Sequence, residues 1–159
     1  MPEPVTVAVV DDEPLAREGL RMLLAEDPGV KVVGEAGSGD EAVALLARTH
    51  PQLCFLDVQM PGGSGFEVLA RAEAPLPMVV FVTAYDQYAL EAFRVHAFDY
   101  LLKPYEDARF RETLGRAKEQ LSREEAARIG EQLRAKAVEA GLVPAASSRI
   151  AGATRPGLR

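Results

Sequence analysis

The apolar positions of this chain fall into short, nearly unbroken runs, separated by stretches in which they recur every three or four residues. Residues 5–10 are a β-branched run that stops at Asp11-Asp12-Glu13, and Pro14 then stands where a first helical turn tolerates it. Leu15, Leu20, Leu23 and Leu24 stripe the helix that follows, and Asp27-Pro28-Gly29 ends it. The alternation continues. Residues 30–36 read as a strand, and Ser38-Gly39-Asp40-Glu41 opens a helix carrying Ala42, Leu45 and Leu46. Strands are predicted at 53–57, 78–83 and 99–103, with helices at 65–74 and 86–96 between them.

Five strands alternating with helices, several apolar on both faces, predict a parallel sheet covered on each side, a doubly wound α/β domain. Right-handed crossovers leave few topologies. The commonest five-stranded one is flavodoxin-like, with order 2-1-3-4-5 and a switch point between strands 1 and 3. Beyond residue 104, Phe110, Leu114, Ala117 and Leu121 keep a 4-3-4 spacing that lays one apolar stripe against the sheet. Ser122-Arg123-Glu124-Glu125 fits a capping box, so the extended C-terminal helix is either continuous or a helix pair. Its second part carries Ile129 and Leu133 and ends at Gly141, with Pro144 beyond. The expected organisation is a domain at 1–121, a helical extension at 122–141 and a flexible basic tail or linker at 142–159.

Composition narrows the classes. Of 159 residues 48% are hydrophobic, enough for the core of one domain with an appendage. No apolar run approaches the roughly 18 residues that span a membrane, and the first residues lack the basic start of a signal peptide. The expectation is a cytoplasmic protein without membrane contact. The net charge of −6 is uneven, with 16 acidic and 7 basic side chains up to residue 105, and 8 acidic and 11 basic beyond it. The acidic part would repel a phosphate backbone, which disfavours it as a nucleic-acid binder by itself. Cys54, the only cysteine, lies inside an apolar run and reads as a buried, inert thiol.

Ligands of open α/β sheets bind beyond the carboxyl ends of the strands at the switch point. Asp11 and Asp12 leave strand 1, Asp57 strand 3, Thr83 strand 4 and Lys103 strand 5. Any one of them alone is an ordinary strand-end residue, but together they form a coherent chemistry. Three crowded carboxylates raise one another's pKa unless a cation neutralises them. Oxygen-only ligands in an incomplete set favour Mg²⁺, which takes a phosphate oxygen into its octahedron. Lys103 offers a point charge to a phosphoryl group, and Thr83 a hydroxyl. Gly37-Ser38-Gly39 follows strand 2 and reads as a turn with a helix cap, not a dinucleotide fingerprint, and Gly62-Gly63-Ser64-Gly65 lacks the ending of a P-loop and reads as a flexible turn that lets the backbone pass close to the site. His50 and His96 have no partners at ligand spacing and read as helix-end residues.

Val9-Val10-Asp11-Asp12-Glu13-Pro14, Leu56-Asp57-Val58-Gln59-Met60-Pro61-Gly62, Val82-Thr83-Ala84 and Asp99-Tyr100-Leu101-Leu102-Lys103-Pro104 resemble the receiver domain of two-component response regulators, over about residues 4–121. The resemblance implies that a partner histidine kinase phosphorylates Asp57. It implies that Asp12 ligates Mg²⁺ directly and Asp11 through water, with Asp57 and the Gln59 carbonyl completing the protein ligands. Thr83 and Lys103 would contact the phosphoryl group, the Lys103–Pro104 bond would be cis, and Tyr100 would turn inward when Thr83 is drawn to the phosphate. Such a domain accepts a phosphoryl group and loses it slowly, and is not a classical enzyme. The run from Thr83 to Phe93 followed by Phe98 to Pro104 resembles receivers of the LytTR group, whose output is a C-terminal DNA-binding domain. Only 38 residues follow Leu121. DNA is therefore expected to be reached only through an output domain absent from this chain, unless the receiver stands alone and acts through protein contacts. Apolar stripes on the C-terminal helices and on the fourth and fifth helices make a homodimer the expected assembly. The rival reading from another class is an Mg²⁺-dependent phosphohydrolase, but Gln59 stands where such an enzyme would place a second carboxylate.

Overall fold

The structure, a computed structural model, describes residues 3–144. It consists of β1 (Val5–Val10), α1 (Pro14–Ala25), β2 (Val30–Ala36), α2 (Gly39–Thr49), β3 (Leu53–Leu56), α3 (Gly65–Arg71), β4 (Met78–Thr83), a 3-10 turn (Asp86–Tyr88), α4 (Ala89–Arg94), β5 (Asp99–Leu102) and α5 (Asp107–Glu139). All strand pairs are parallel, in the order β2-β1-β3-β4-β5. The doubly wound, flavodoxin-like sheet expected from the apolar runs is therefore the one observed.

Alternation along the strands feeds two cores. Ala8, Val10, Cys54, Leu56, Val79 and Phe81 share one with Ala42, Leu45 and Leu46 of α2, Val68 of α3 and Ala92 of α4. The opposite face presents Val7, Val9, Leu53, Phe55, Val80 and Val82, all buried. There the Phe55 and Phe110 rings lie 5.2 Å apart and seat α5 on the sheet. Leu20 and Leu23 of α1 line a groove with Val82 on the same side. Leu15 departs from the expected stripe and is 81% exposed. It lies five residues before Leu20, about 140° round the helix, which puts it at the open rim of that groove and not beneath it.

Helices α3 and α4 are shorter than the periodicity predicts. Ala72 already takes extended dihedrals after α3, and the segment before α4 is a 3-10 turn. His50 and His96 adopt positive φ just past helices α2 and α4, in keeping with their reading as helix-end residues. Cys54 is fully buried, which pushes its thiol up to about 12.

The chain divides into two compact units at Lys118–Glu119. In the second, Ser122 does not begin a new helix, because α5 runs on to Glu139. Gly141, at φ 76°, ends it: its N–H donates to the Val138 carbonyl and that of Leu142 to Ala137, the paired bonds of a Schellman motif. Of the tail expected at 142–159, residues 145–159 lie outside the described residues. Among the described residues no helix is long and apolar enough to cross a membrane.

Candidate functional site

The carboxyl ends of β1, β3, β4 and β5 converge because the ladder continues one residue past each strand. The Asp57 N–H donates to the Val10 carbonyl (2.9 Å), the Asp11 N–H to Ala36 (3.0 Å) and the Lys103 N–H to Thr83 (2.8 Å). These bonds fix the Cα positions of Asp11, Asp57 and Lys103 relative to one another. Gly65 brings the start of α3 against β3, its N–H donating to the Val58 carbonyl at 2.8 Å. A Cβ on Gly65 would stand 2.5 Å from the Asp57 carbonyl oxygen. Ser64 and Glu67 complete a capping box that holds this helix start.

Asp11 is fully buried and Asp57 nearly so, and with Asp12 they offer carboxylate oxygens that lie within 4.8 Å of one another. Lys103 Nζ donates to Asp11 Oδ2 at 2.8 Å and stands 3.7 Å from Asp57 Oδ2 and 3.6 Å from Glu13. Burial pushes the Asp57 carboxyl up to about 6, and the neighbouring Asp11 charge adds to the rise. Lys103 and the N–H groups of Gln59 and Val58 offset only part of it. Burial lowers the Lys103 pKa, but its bond to Asp11 and the charges of Asp57, Asp11 and Glu13 outweigh this and hold it above the ordinary lysine value. One lysine facing three or four carboxylates leaves the site short of positive charge. The donors suit a hard divalent cation: they are all oxygens, two of them buried, and they open on a cleft of about 560 Å³ shared by Asp12, Asp57, Gln59 and Lys103.

Thr83 is fully buried at the end of β4, and its Oγ1 accepts the Tyr85 N–H at 3.3 Å. The Tyr85 carbonyl in turn accepts the Tyr100 hydroxyl, so one backbone residue joins the two side chains. Tyr100 is half-buried beside Phe81, its cross-strand neighbour. The Gln59 amide donates to the Tyr88 hydroxyl at 2.6 Å, and the Lys103–Pro104 peptide is cis. Asp11, Asp12, Asp57, Gln59, Thr83, Lys103 and Pro104 thus lie on the loops and strand ends at the carboxyl edge of the sheet, with Tyr100 inside β5. Sequence reasoning missed three contributors, Glu13, Arg17 and Tyr85, which no motif singled out for the site. Gly65 lies in the turn expected to let the backbone pass close to it, and its close approach is to the Asp57 carbonyl.

Fold and site together define an α/β protein with an acidic, lysine-bearing pocket at its switch point. Comparison with known families agrees, since the response regulator receiver domain matches residues 7–115. Among curated relatives, the transcriptional regulatory protein BtsR of Escherichia coli (strain K12) is 42% identical over 132 residues, covering 82% of this chain and 55% of that protein. An uncharacterized response regulatory protein of Yersinia pestis is 47% identical over 111 residues, covering 69% of this chain and 47% of its own length. The chain spans about half the length of the curated relatives it matches. Among solved structures, the REC domain of AraT, a response regulator from Geobacillus stearothermophilus, superposes with a TM-score of 0.70 at 36% identity, covering 76% of this chain and 98% of that one. The response regulatory domain of mrkE from Klebsiella pneumoniae gives a TM-score of 0.71 at 30% identity, covering 75% and 99%. The chain belongs to the response regulator receiver domain family.

Proposed function

We propose that this receiver accepts a phosphoryl group on Asp57 from a phosphohistidine of a partner histidine kinase, with Mg²⁺ in the acidic pocket, and passes the signal on by changing conformation and pairing. The observation that carries the reading is the Asp57 carboxylate at the floor of an open cleft, 3.7 Å from Lys103 and clustered with Asp11 and Asp12. An Asp57 oxygen attacks phosphorus, the bond from phosphorus to the histidine nitrogen breaks, and the nitrogen keeps the electron pair. Transfer of this kind needs alignment and charge neutralisation more than covalent chemistry.

Asp12, Asp57 and the Gln59 carbonyl would hold Mg²⁺, with Asp11 acting through water. Bound there, the cation would neutralise charge on the phosphoryl oxygens. Lys103 turns its ammonium from Asp11 toward the phosphoryl group, and the Thr83 hydroxyl donates to another phosphoryl oxygen. That motion competes with the Tyr85 N–H for Thr83, and Tyr85 also holds Tyr100, so occupancy of the site biases the Tyr100 side chain. The protein is an acceptor and not a turnover enzyme. Position 59 is a glutamine whose amide is engaged by Tyr88, so no carboxylate stands two residues on to protonate a leaving group.

One relative is named a transcriptional regulatory protein, and the output that goes with this reading is that of a cytoplasmic transcriptional regulator of LytTR type, working as a homodimer and meeting DNA through a further domain. Acting alone through protein contacts is the second form of the same reading, and exposed Leu90, Phe93 and Leu102 on α4 and β5 favour a contact surface in either form. The test is incubation with acetyl phosphate and Mg²⁺ followed by mass spectrometry. One phosphoryl group is expected on Asp57, with none on the Asp57→Asn variant. Equal labelling of that variant would defeat the proposal.

A further inference from the structure

Each oxygen of Asp11 is engaged. Oδ1 accepts the Glu13 N–H at 2.9 Å, Oδ2 accepts Lys103 Nζ at 2.8 Å, and the main-chain carbonyl accepts Arg17 Nη1 at 2.7 Å. The last contact reaches back from α1 across the helix start. Arg17 Nε donates to Glu35 on β2 at 3.1 Å, and the other Glu35 oxygen lies 2.8 Å from Arg21 Nε as an ion pair. Gly37 leaves room for the arrangement, since a Cβ there would lie 3.1 Å from Arg17 Nη1.

The carbonyl that Arg17 holds belongs to the peptide between Asp11 and Asp12. That unit is planar, so fixing its oxygen fixes the direction in which the chain enters Asp12 and the space its carboxylate can sweep. A guanidinium is a rigid fork, and its grip on Glu35 sets where Nη1 points. Arg21 touches the same glutamate but not the acidic loop.

We propose that Arg17 is a positioning residue for the cation site: by bracing the Asp11–Asp12 peptide against β2, it aims the Asp12 carboxylate at the ion that Asp57 shares. This rests on the cation reading above. Groups that orient metal ligands without touching the metal carry about ten- to a hundredfold in affinity. A charge effect has the opposite sign, because removing a cation beside an acidic pocket tightens Mg²⁺ binding.

The experiment is calorimetric Mg²⁺ titration of the full chain and of its Arg17→Ala, Arg17→Lys, Glu35→Gln and Arg21→Ala variants. Each is accompanied by a melting curve in EDTA and the metal-free Asp12 amide resonance in a ¹⁵N spectrum. Arg17→Ala is expected to weaken Mg²⁺ about tenfold and to move the Asp12 resonance, with Arg17→Lys recovering part of the loss. Glu35→Gln falls between, and Arg21→Ala binds like the unsubstituted chain. Unchanged or tighter binding by Arg17→Ala, or an equal loss in Arg21→Ala, overturns the role of Arg17 and leaves the cation site standing. If Arg17→Ala does not fold, Arg17→Lys and Glu35→Gln decide by the same affinities, and unchanged binding in both overturns it. An unsubstituted chain that binds no Mg²⁺ overturns the cation reading, and this inference with it.

Discussion

Lys103 and Asp11 form an ion pair at 2.8 Å across the ends of β5 and β1, and Asp11 is fully buried. Without Lys103 the buried charge has no salt-bridge partner among the described residues. Lys103→Ala is therefore expected to lower the stability of the metal-free protein by about 3 kcal/mol in urea unfolding. Mg²⁺ should restore most of that loss, because it supplies the missing positive charge. A variant equally destabilised with and without Mg²⁺ would show that the cation does not reach Asp11.

Asp57 predicts a pH dependence of definite sign. Its folded pKa of about 6 lies above its ordinary 3.8, so between those values the native state binds the extra proton. Stability in EDTA should fall as pH rises from about 4 through about 6 and then level off, by about 3 kcal/mol from this group. Asp57→Asn removes that fall, and saturating Mg²⁺ suppresses it. Urea midpoints at several pH values, compared between the two proteins, check the sign; parallel profiles would refute it.

Asp99 behaves in the opposite sense. Burial would raise its pKa, but hydrogen bonds from Arg109, Thr113 and the Tyr100 N–H, with the Arg109 charge, bring it down to about 2. Its contribution is present above the ordinary 3.8 and is lost as pH falls toward 2. Asp99→Asn should cost about 2 kcal/mol at neutral pH. The gap between the two proteins should close in acid, and a gap of constant size would contradict the assignment.

Two glycines give a matched pair. Gly65→Ala places a methyl 2.5 Å from the Asp57 carbonyl, 3.1 Å from Leu56 and 3.2 Å from Phe81, so β3 and α3 must part. The expected loss is about 1–3 kcal/mol, together with weaker Mg²⁺ binding as Asp57 moves. Gly115→Ala, inside α5 with nothing within 4 Å of the new methyl, should add about 0.5–1 kcal/mol and leave the site alone. Thermal melts and Mg²⁺ titrations of both variants test the contrast.

Much of this structure was legible in the chain because its central strands β1, β3 and β4 are buried on both faces. Uninterrupted runs such as residues 53–56 and 78–83 left no periodicity to misread, and the strand-ending polar residues marked the carboxyl edge of the sheet. Exposure on the helices was less legible. Leu15 looks like its neighbours in composition and differs only in angle around α1, while α3 and α4 end early through backbone turns that no residue type demands. The links made by main-chain atoms left no trace at all: the Tyr85 carbonyl and the Asp11 carbonyl are present at every residue, and only the folded geometry selects them.

The separation of 92 positions between Asp11 and Lys103 has a further consequence. Four strands contribute to the pocket, and it comes into being only when the ladder from β1 to β5 has closed. A piece of the chain cut between Asp11 and Lys103 cannot present the full set of charges. Any chemistry that needs Asp11, Asp57 and Lys103 together is therefore tied to closure of the whole sheet.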